Sequence, residues 1–91
     1  MSVKYKLVYV KWVDSYGCGH AWGEISDISP APHYCHSVGW IVSESDECIV
    51  VVPHLSPAHD EIGAVENGCG DMTIPKVSII NQCEIIGEIK K

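Results

Sequence analysis

Apolar residues in this chain come in short runs that never reach the length of a buried helix. Two of these runs, Leu7–Val10 and Ile49–Val52, are four residues long and rich in valine. A helix that spans a membrane needs about 20 apolar residues in succession, whereas short β-branched runs are typical of strands. The chain has 91 residues, which is enough for one small hydrophobic core. We therefore expect a single mainly β domain over residues 1–91 and no membrane span.

The first strand is predicted over Val3–Val13. Its odd positions are apolar except for Lys11, and they alternate with Lys4 and Lys6, as expected for a strand with one dry and one wet face. From Val8 onward the even positions also become apolar. We therefore expect the second half of this strand to be covered on both faces, and the excess apolar surface favours a homo-oligomer.

The clearest hairpin is predicted between His36 and Val52. The segment His36–Ser43 alternates, which predicts a core face that carries Trp40 with its valine neighbours at positions 38 and 42. A polar turn, Glu44–Glu47, follows and leads into the β-branched run Cys48–Val52. This order of strand, polar turn and strand is typical of a β-hairpin.

Two long loops separate these strands from the rest of the chain. Residues 14–34 contain glycines and prolines without a sustained period, which predicts a loop with at most a short strand near Ala21–Ile25. Residues 54–70 form the second loop, where Ser56 and Pro57 precede acidic residues and predict one or two helical turns. The last strands are expected at Met72–Pro75 and Ile79–Ile89, with a tight turn between them.

Five short strands with these connections favour a small, strongly bent antiparallel barrel. The predicted class is all-β, a five-stranded SH3-like or Sm-like barrel with two long loops and one short helix. In that topology the first and last strands are neighbours. Closure would also hide strand edges that otherwise promote aggregation.

The charge distribution disfavours nucleic acid as a partner. The formal net charge is −6, all six basic residues are lysines, and no lysine lies between Trp12 and Pro75. Ten carboxylates occupy that stretch, so it would repel a phosphate backbone. An acidic surface of this kind fits a basic protein partner better.

The cysteine count indicates a reducing compartment. Five cysteines are an odd number, and the N-terminus has no secretory pattern, so we expect reduced thiols in the cytoplasm. Cys48 and Cys83 lie in apolar strands and are expected to be small core residues. Zinc is an alternative, because loop cysteines and histidines are zinc ligands. The Cys-x-x-Cys spacing that would predict a metal site is absent, so we expect no cofactor and treat four residues only as weak candidates: Cys18, His20, Cys35 and His36.

Aromatic residues favour binding over catalysis. All seven lie within the first forty residues, whereas no cysteine shows the signature of an activated thiol. Trp40 is expected in the core, Trp12 suits a core or a contact role equally, and Trp22 in its glycine-rich loop suits a surface platform. The predicted ligand-binding residues are Lys11, Trp12, Asp14, Ser15, Tyr16, Trp22, Met72 and Lys76.

Three blocks of sequence carry a resemblance to known proteins. Val10–Ser15, Ser37–Val42 and Met72–Lys76 resemble segments, in the same order, of small proteins encoded by bacteriophages and prophages. The resemblance implies a cytoplasmic accessory protein with a small β-barrel fold, of a kind that often counters bacterial defence by sequestering a nucleotide signal or blocking an enzyme. The first hypothesis is therefore a non-catalytic protein that binds a small nucleotide-type ligand at its loops or a subunit interface. The alternatives are an acidic inhibitor of a host enzyme that imitates nucleic acid, and a small zinc-stabilised module.

Overall fold

The computed structural model describes residues 4–17, 21–56 and 65–87, and strands account for 56% of these residues. The described ranges contain two single-turn 3-10 helices and no α-helix, so the predicted mainly β class is confirmed. The strands are β1 (Leu7–Asp14), β2 (His33–Glu44), β3 (Cys48–Val52), β4 (His54–Ser56), β5 (Asn67–Cys69), β6 (Met72–Pro75) and β7 (Ile79–Glu84). The 3-10 turns are Ile25–Asp27 and Lys76–Ser78.

The strands form two antiparallel sheets. The larger has the order β6-β3-β2-β1-β7, and the smaller is the β4-β5 pair. The first and last strands of the chain are therefore neighbours, as expected. Within the described ranges β6 and β7 are not paired, so the predicted closure of the five-stranded sheet into a barrel is not confirmed.

The core lies on one face of the larger sheet. Val8, Val10 and Trp12 of β1 are buried on this face, and Val10 is fully inaccessible to solvent. The odd residues of β1, which the sequence predicted as the dry face, are only half-buried, so that prediction is wrong. A flat sheet on its own would expose both of its faces to solvent. The sheet must therefore curve so that its strands cover this cluster on one face. Burying each valine or isoleucine stabilises the fold by about 1.5 to 3 kcal/mol. The buried cluster consists of Val8, Val10, Trp12, Ile49, Val51 and Ile74.

The predicted core face of β2 is wrong. Val38 is 55% exposed and Trp40 is only half-buried, whereas Gly39 is buried and Cys35 and Ile41 pack against the core. Cross-strand partners share a face, and Val8 pairs with Gly39. Because β1 turns its even residues to the core, β2 must turn its odd residues there.

The β2-β3 hairpin is confirmed, and β3 has the predicted bounds. The strand Met72–Pro75 is also confirmed, and a 3-10 turn follows Pro75. In contrast, Ala21–Ile25 forms no strand; the described part of the first loop contains only the turn Ile25–Asp27. The β4-β5 pair was not predicted. The helical turns expected after Ser56 lie outside the described residues.

The cysteines behave only partly as expected. The four thiols within the described ranges, at Cys35, Cys48, Cys69 and Cys83, are free. Cys48 is half-buried, but Cys83 is exposed, so its predicted core position is wrong. It lies on β7 at the edge of the sheet, where no further strand covers it in the described structure.

Candidate functional site

An open groove lies at the base of the first long loop. Two segments line it, residues 13–17 at the end of β1 and residues 28–32 just before β2, and its volume is about 660 Å³. These segments meet because β1 and β2 are antiparallel, so that Asp14 pairs with His33 and the loop must leave and return at the same place. Ligand pockets usually measure about 300 to 1,000 Å³.

Tyr16 joins the two walls of the groove. Its hydroxyl donates a hydrogen bond of 2.7 Å to the backbone carbonyl of Ala31, and its ring centroid lies 5.2 Å from that of His33. Pro30 and Pro32 flank Ala31 and restrict the backbone of the opposite wall. The mouth of the groove is therefore held in shape by an aromatic side chain that remains 52% exposed.

Next to the groove, and including Ile28 of its wall, the loop presents apolar side chains to solvent. Trp22 is fully exposed, and Ile25 and Ile28 are 86% and 70% exposed. The carboxylates of Glu24 and Asp27 lie between them in sequence and are also exposed. We call Trp22–Ile28 the acidic arm. Exposed apolar side chains this close together are typical of a contact surface.

A row of aromatic and basic side chains occupies the face of β1 and β2 opposite the core. The Tyr9 hydroxyl and His36 Nδ1 are 2.7 Å apart, and the two rings are stacked at 5.9 Å. The Lys11 ammonium lies 4.6 Å from the centre of the Tyr34 ring. Lysine placed over an aromatic face is stabilised by the ring quadrupole. Because its ammonium lies over the Tyr34 ring on this face of the sheet, Lys11 does not line the groove.

The structure brings together only part of the predicted site. Asp14, Ser15 and Tyr16 line the groove, whereas Lys11, Met72 and Lys76 do not. The Lys76 ammonium lies 2.7 Å from a carboxylate oxygen of Glu44, and the Lys76 amide donates to the carbonyl of Glu47. Lys76 is therefore engaged at the β2-β3 hairpin.

Trp12 belongs to the core. It is 9% exposed, and its indole Nε1 donates to the Ser37 hydroxyl at 3.1 Å. Of the two roles that the sequence allowed equally, the structure therefore places Trp12 among the packed residues. Trp22 has the exposure expected of a surface platform.

The weak metal candidates are not brought together. Cys35 and His36 are consecutive on β2 and so point to opposite faces of the sheet, one towards the core and the other towards Tyr9. Cys18 and His20 lie outside the described residues. The described part of the chain has no group of three or more histidine, cysteine or acidic side chains placed to hold a metal ion.

Two surface ion pairs perturb the titration of their members. Hydrogen bonding to Lys76 lowers the pKa of Glu44, and hydrogen bonding to Lys4 lowers the pKa of Glu66. The same contact with Glu66 raises the pKa of Lys4. None of these residues lines the groove.

Sequence reasoning missed the second wall of the groove. The sequence predicts only a loop at residues 28–32, because their prolines interrupt any periodic pattern of apolar residues. The signal that identifies them is tertiary, namely the carbonyl of Ala31 that accepts the Tyr16 hydrogen bond. A backbone acceptor has no signature in the side-chain sequence.

Comparison of the chain with protein-family models, with curated proteins and with solved structures gave no match. Among the described residues, the structure contains no helix of sufficient length and apolarity to cross a lipid bilayer. The groove, the acidic arm and the charge distribution are therefore the features of this chain that bear on its function.

Proposed function

We propose that this chain is a non-catalytic binding protein that holds a small ligand in the groove between residues 13–17 and 28–32. The observation that carries the proposal is the groove itself, about 660 Å³ in volume and bridged by the hydrogen bond from Tyr16 to Ala31. A concave site of this size with a few fixed polar groups suits a small molecule. Asp14 and Ser15 line the groove, and the Tyr16 hydroxyl is fixed by its bond to Ala31.

The fold that we propose for this function is a small barrel of the SH3-like or Sm-like type that stays open between β6 and β7. The sheet order β6-β3-β2-β1-β7 and the 3-10 turn before β7 support it, because they bring the last strand back beside the first. Long loops on a rigid β scaffold are common places for binding residues. The groove lies where such a loop leaves and rejoins the scaffold.

The ligand that we propose is a nucleotide-type signal, with a role in phage counter-defence in the cytoplasm. This identity follows from the resemblance of Val10–Ser15, Ser37–Val42 and Met72–Lys76 to phage-encoded proteins. An aromatic ring that is about half exposed, such as that of Tyr16, provides a face on which a base can stack. Among the described residues, Asp14 lines the groove and no lysine does, so the proposed contact is with the base and not with the phosphate.

Native mass spectrometry of the untreated protein, followed by calorimetric titration with mononucleotides and cyclic dinucleotides, tests the proposal. Tyr16→Phe removes the bond to Ala31 and should weaken nucleotide binding by roughly 2- to 12-fold, the worth of one hydrogen bond. The matched control is Tyr5→Phe, which removes an exposed hydroxyl bonded to Glu66 at 3.2 Å. Absence of binding by any nucleotide, or equal weakening in both variants, would contradict the proposal.

A second candidate function is protein-directed inhibition, and the acidic arm favours it. Trp22, Ile25 and Ile28 are exposed beside two carboxylates, in a stretch of chain without lysine. Such a surface complements a protein whose apolar patch has a basic rim. Capture of one basic host protein, weakened by salt and by Trp22→Ala, would support this function. Val77→Ala is the control, because Val77 is 97% exposed but lies outside the arm.

A further inference from the structure

The outer edge of β7 has the features of a strand that pairs with another strand. Within the described ranges, β7 is hydrogen-bonded on one side only, to β1. Protein edges are usually protected by short length, proline or lysine. The opposite edge, β6, is four residues long and ends in Pro75, whereas β7 runs Ile-Ile-Asn-Gln-Cys-Glu with no proline, no lysine and one charge.

The register of β7 on β1 shows which backbone groups are free. Ile85 donates its amide to the carbonyl of Leu7, and the pairing continues with Cys83 opposite Tyr9 and Asn81 opposite Lys11. Hydrogen-bonded positions alternate along an antiparallel pair. The amides and carbonyls of Gln82 and Glu84 therefore point away from β1, towards the free edge.

We propose that β7 pairs antiparallel with β7 of a second copy of this chain, around a twofold axis beside Cys83. This register places Gln82 of each copy opposite Glu84 of the other, so that all four outward-pointing residues are paired. A register centred on Gln82 would have to use Ile80, where the pairing with β1 is irregular. A register centred on Glu84 would place two carboxylates opposite each other, which is destabilising.

The same register covers exposed apolar side chains at both ends of the paired segment. Ile80, Ile85 and Ile86 are 52%, 41% and 84% exposed in the single chain. In the twofold pair, Ile80 of one copy comes beside Ile86 of the other at each end. The buried area would lie at the low end for specific complexes, below about 1,200 Å², so we expect a dimer that dissociates at micromolar concentrations.

Cys83 reports on this interface directly. It is exposed and free, and the twofold axis brings it opposite its own copy at a position that is not hydrogen-bonded across the new interface. The Cα atoms of such pairs lie about 4.5 Å apart, within the range that a disulfide bridges. Mild oxidation with copper(II) phenanthroline should therefore give a covalent dimer, because the two thiols form one S–S bond, two copper(II) ions take up one electron each, and the two protons pass to water. Cys69→Ser should keep this product, and Cys83→Ser should abolish it.

Substitutions at Gln82 test the pairing without altering the backbone. Gln82→Glu places two like-charge pairs across the axis and should weaken the dimer by about 2- to 30-fold, whereas Gln82→Lys should tighten it. Analytical ultracentrifugation over a concentration series measures both effects on the full chain. A protein that stays monomeric at millimolar concentration would overturn the proposal. A dimer indifferent to Gln82 that forms no Cys83 link would overturn it as well. Neither result bears on ligand binding at the groove.

Discussion

Adding a single Cβ atom at Gly39 tests how closely the backbones of β2 and β3 approach each other. A Cβ built at this position would lie 2.8 Å from the carbonyl oxygen of Val52 and 3.1 Å from its carbonyl carbon. Both are backbone atoms of β3, so neither can move as a flexible side chain would. Gly39→Ala should therefore push the two strands apart where Trp40 pairs with Val52.

The magnitude follows from two opposing effects. Overpacking in a closely packed region costs about 1 to 3 kcal/mol, whereas replacing a strand glycine by alanine returns about 0.5 to 1 kcal/mol of backbone entropy. We expect a net loss of about 1 to 2 kcal/mol in the free energy of unfolding. For a domain of this size, that corresponds to a fall in Tm of about 4 to 16 °C.

Urea and thermal unfolding followed by circular dichroism measure this loss. The control is Gly23→Ala, because a Cβ at Gly23 meets nothing within 4 Å. That variant should be unchanged or more stable by up to about 1 kcal/mol. A Gly39→Ala protein as stable as the wild type would refute the close approach of the β3 backbone.

Two further predictions concern the tryptophans and one ion pair. Trp12→Ala should lower the free energy of unfolding by about 3 to 5 kcal/mol because Trp12 is buried. Trp22→Ala should change it by no more than about 0.5 kcal/mol because Trp22 is exposed. Similar losses for the two variants in urea unfolding would contradict this assignment. Lys76 lowers the pKa of Glu44 from its ordinary value of 4.5, so the contribution of this carboxylate is present above pH 4.5 and lost as the pH falls through the lowered pKa. The stability difference between wild type and Glu44→Gln should therefore shrink on acidification below pH 4.5 and in high salt, and a constant difference between pH 3 and 7 would count against the pair.

Part of the strand content of this protein, including β3 and β6, could be predicted from local patterns. The run Cys48–Val52 is β-branched and follows a polar turn, and the structure forms β3 over the same residues. Pro75 ends β6 because proline cannot continue a ladder on its amide side. These outcomes depend on neighbours in sequence, which is why residue type and spacing were enough to predict them.

Residue type and spacing were not enough to predict which face of β2 packs against the core. Apolar residues occupy both parities of β1 from Val8 onward, so β1 did not specify which parity of β2 it would cover. The register that pairs Val8 with Gly39 decides it, and Val38 is left exposed as a result. Register is a property of two strands together, and a one-residue shift would exchange the faces.

The candidate site also has one part that the sequence predicted and one part that only the tertiary structure supplied. The sequence alone identified one wall of the groove, Asp14 to Tyr16, because a polar and aromatic cluster directly follows a strand. Only the tertiary structure supplied the other wall, since the antiparallel return of β2 brings the Ala31 carbonyl within 2.7 Å of the Tyr16 hydroxyl. Residue type determines what a side chain can do chemically, whereas long-range strand pairing determines which groups it meets.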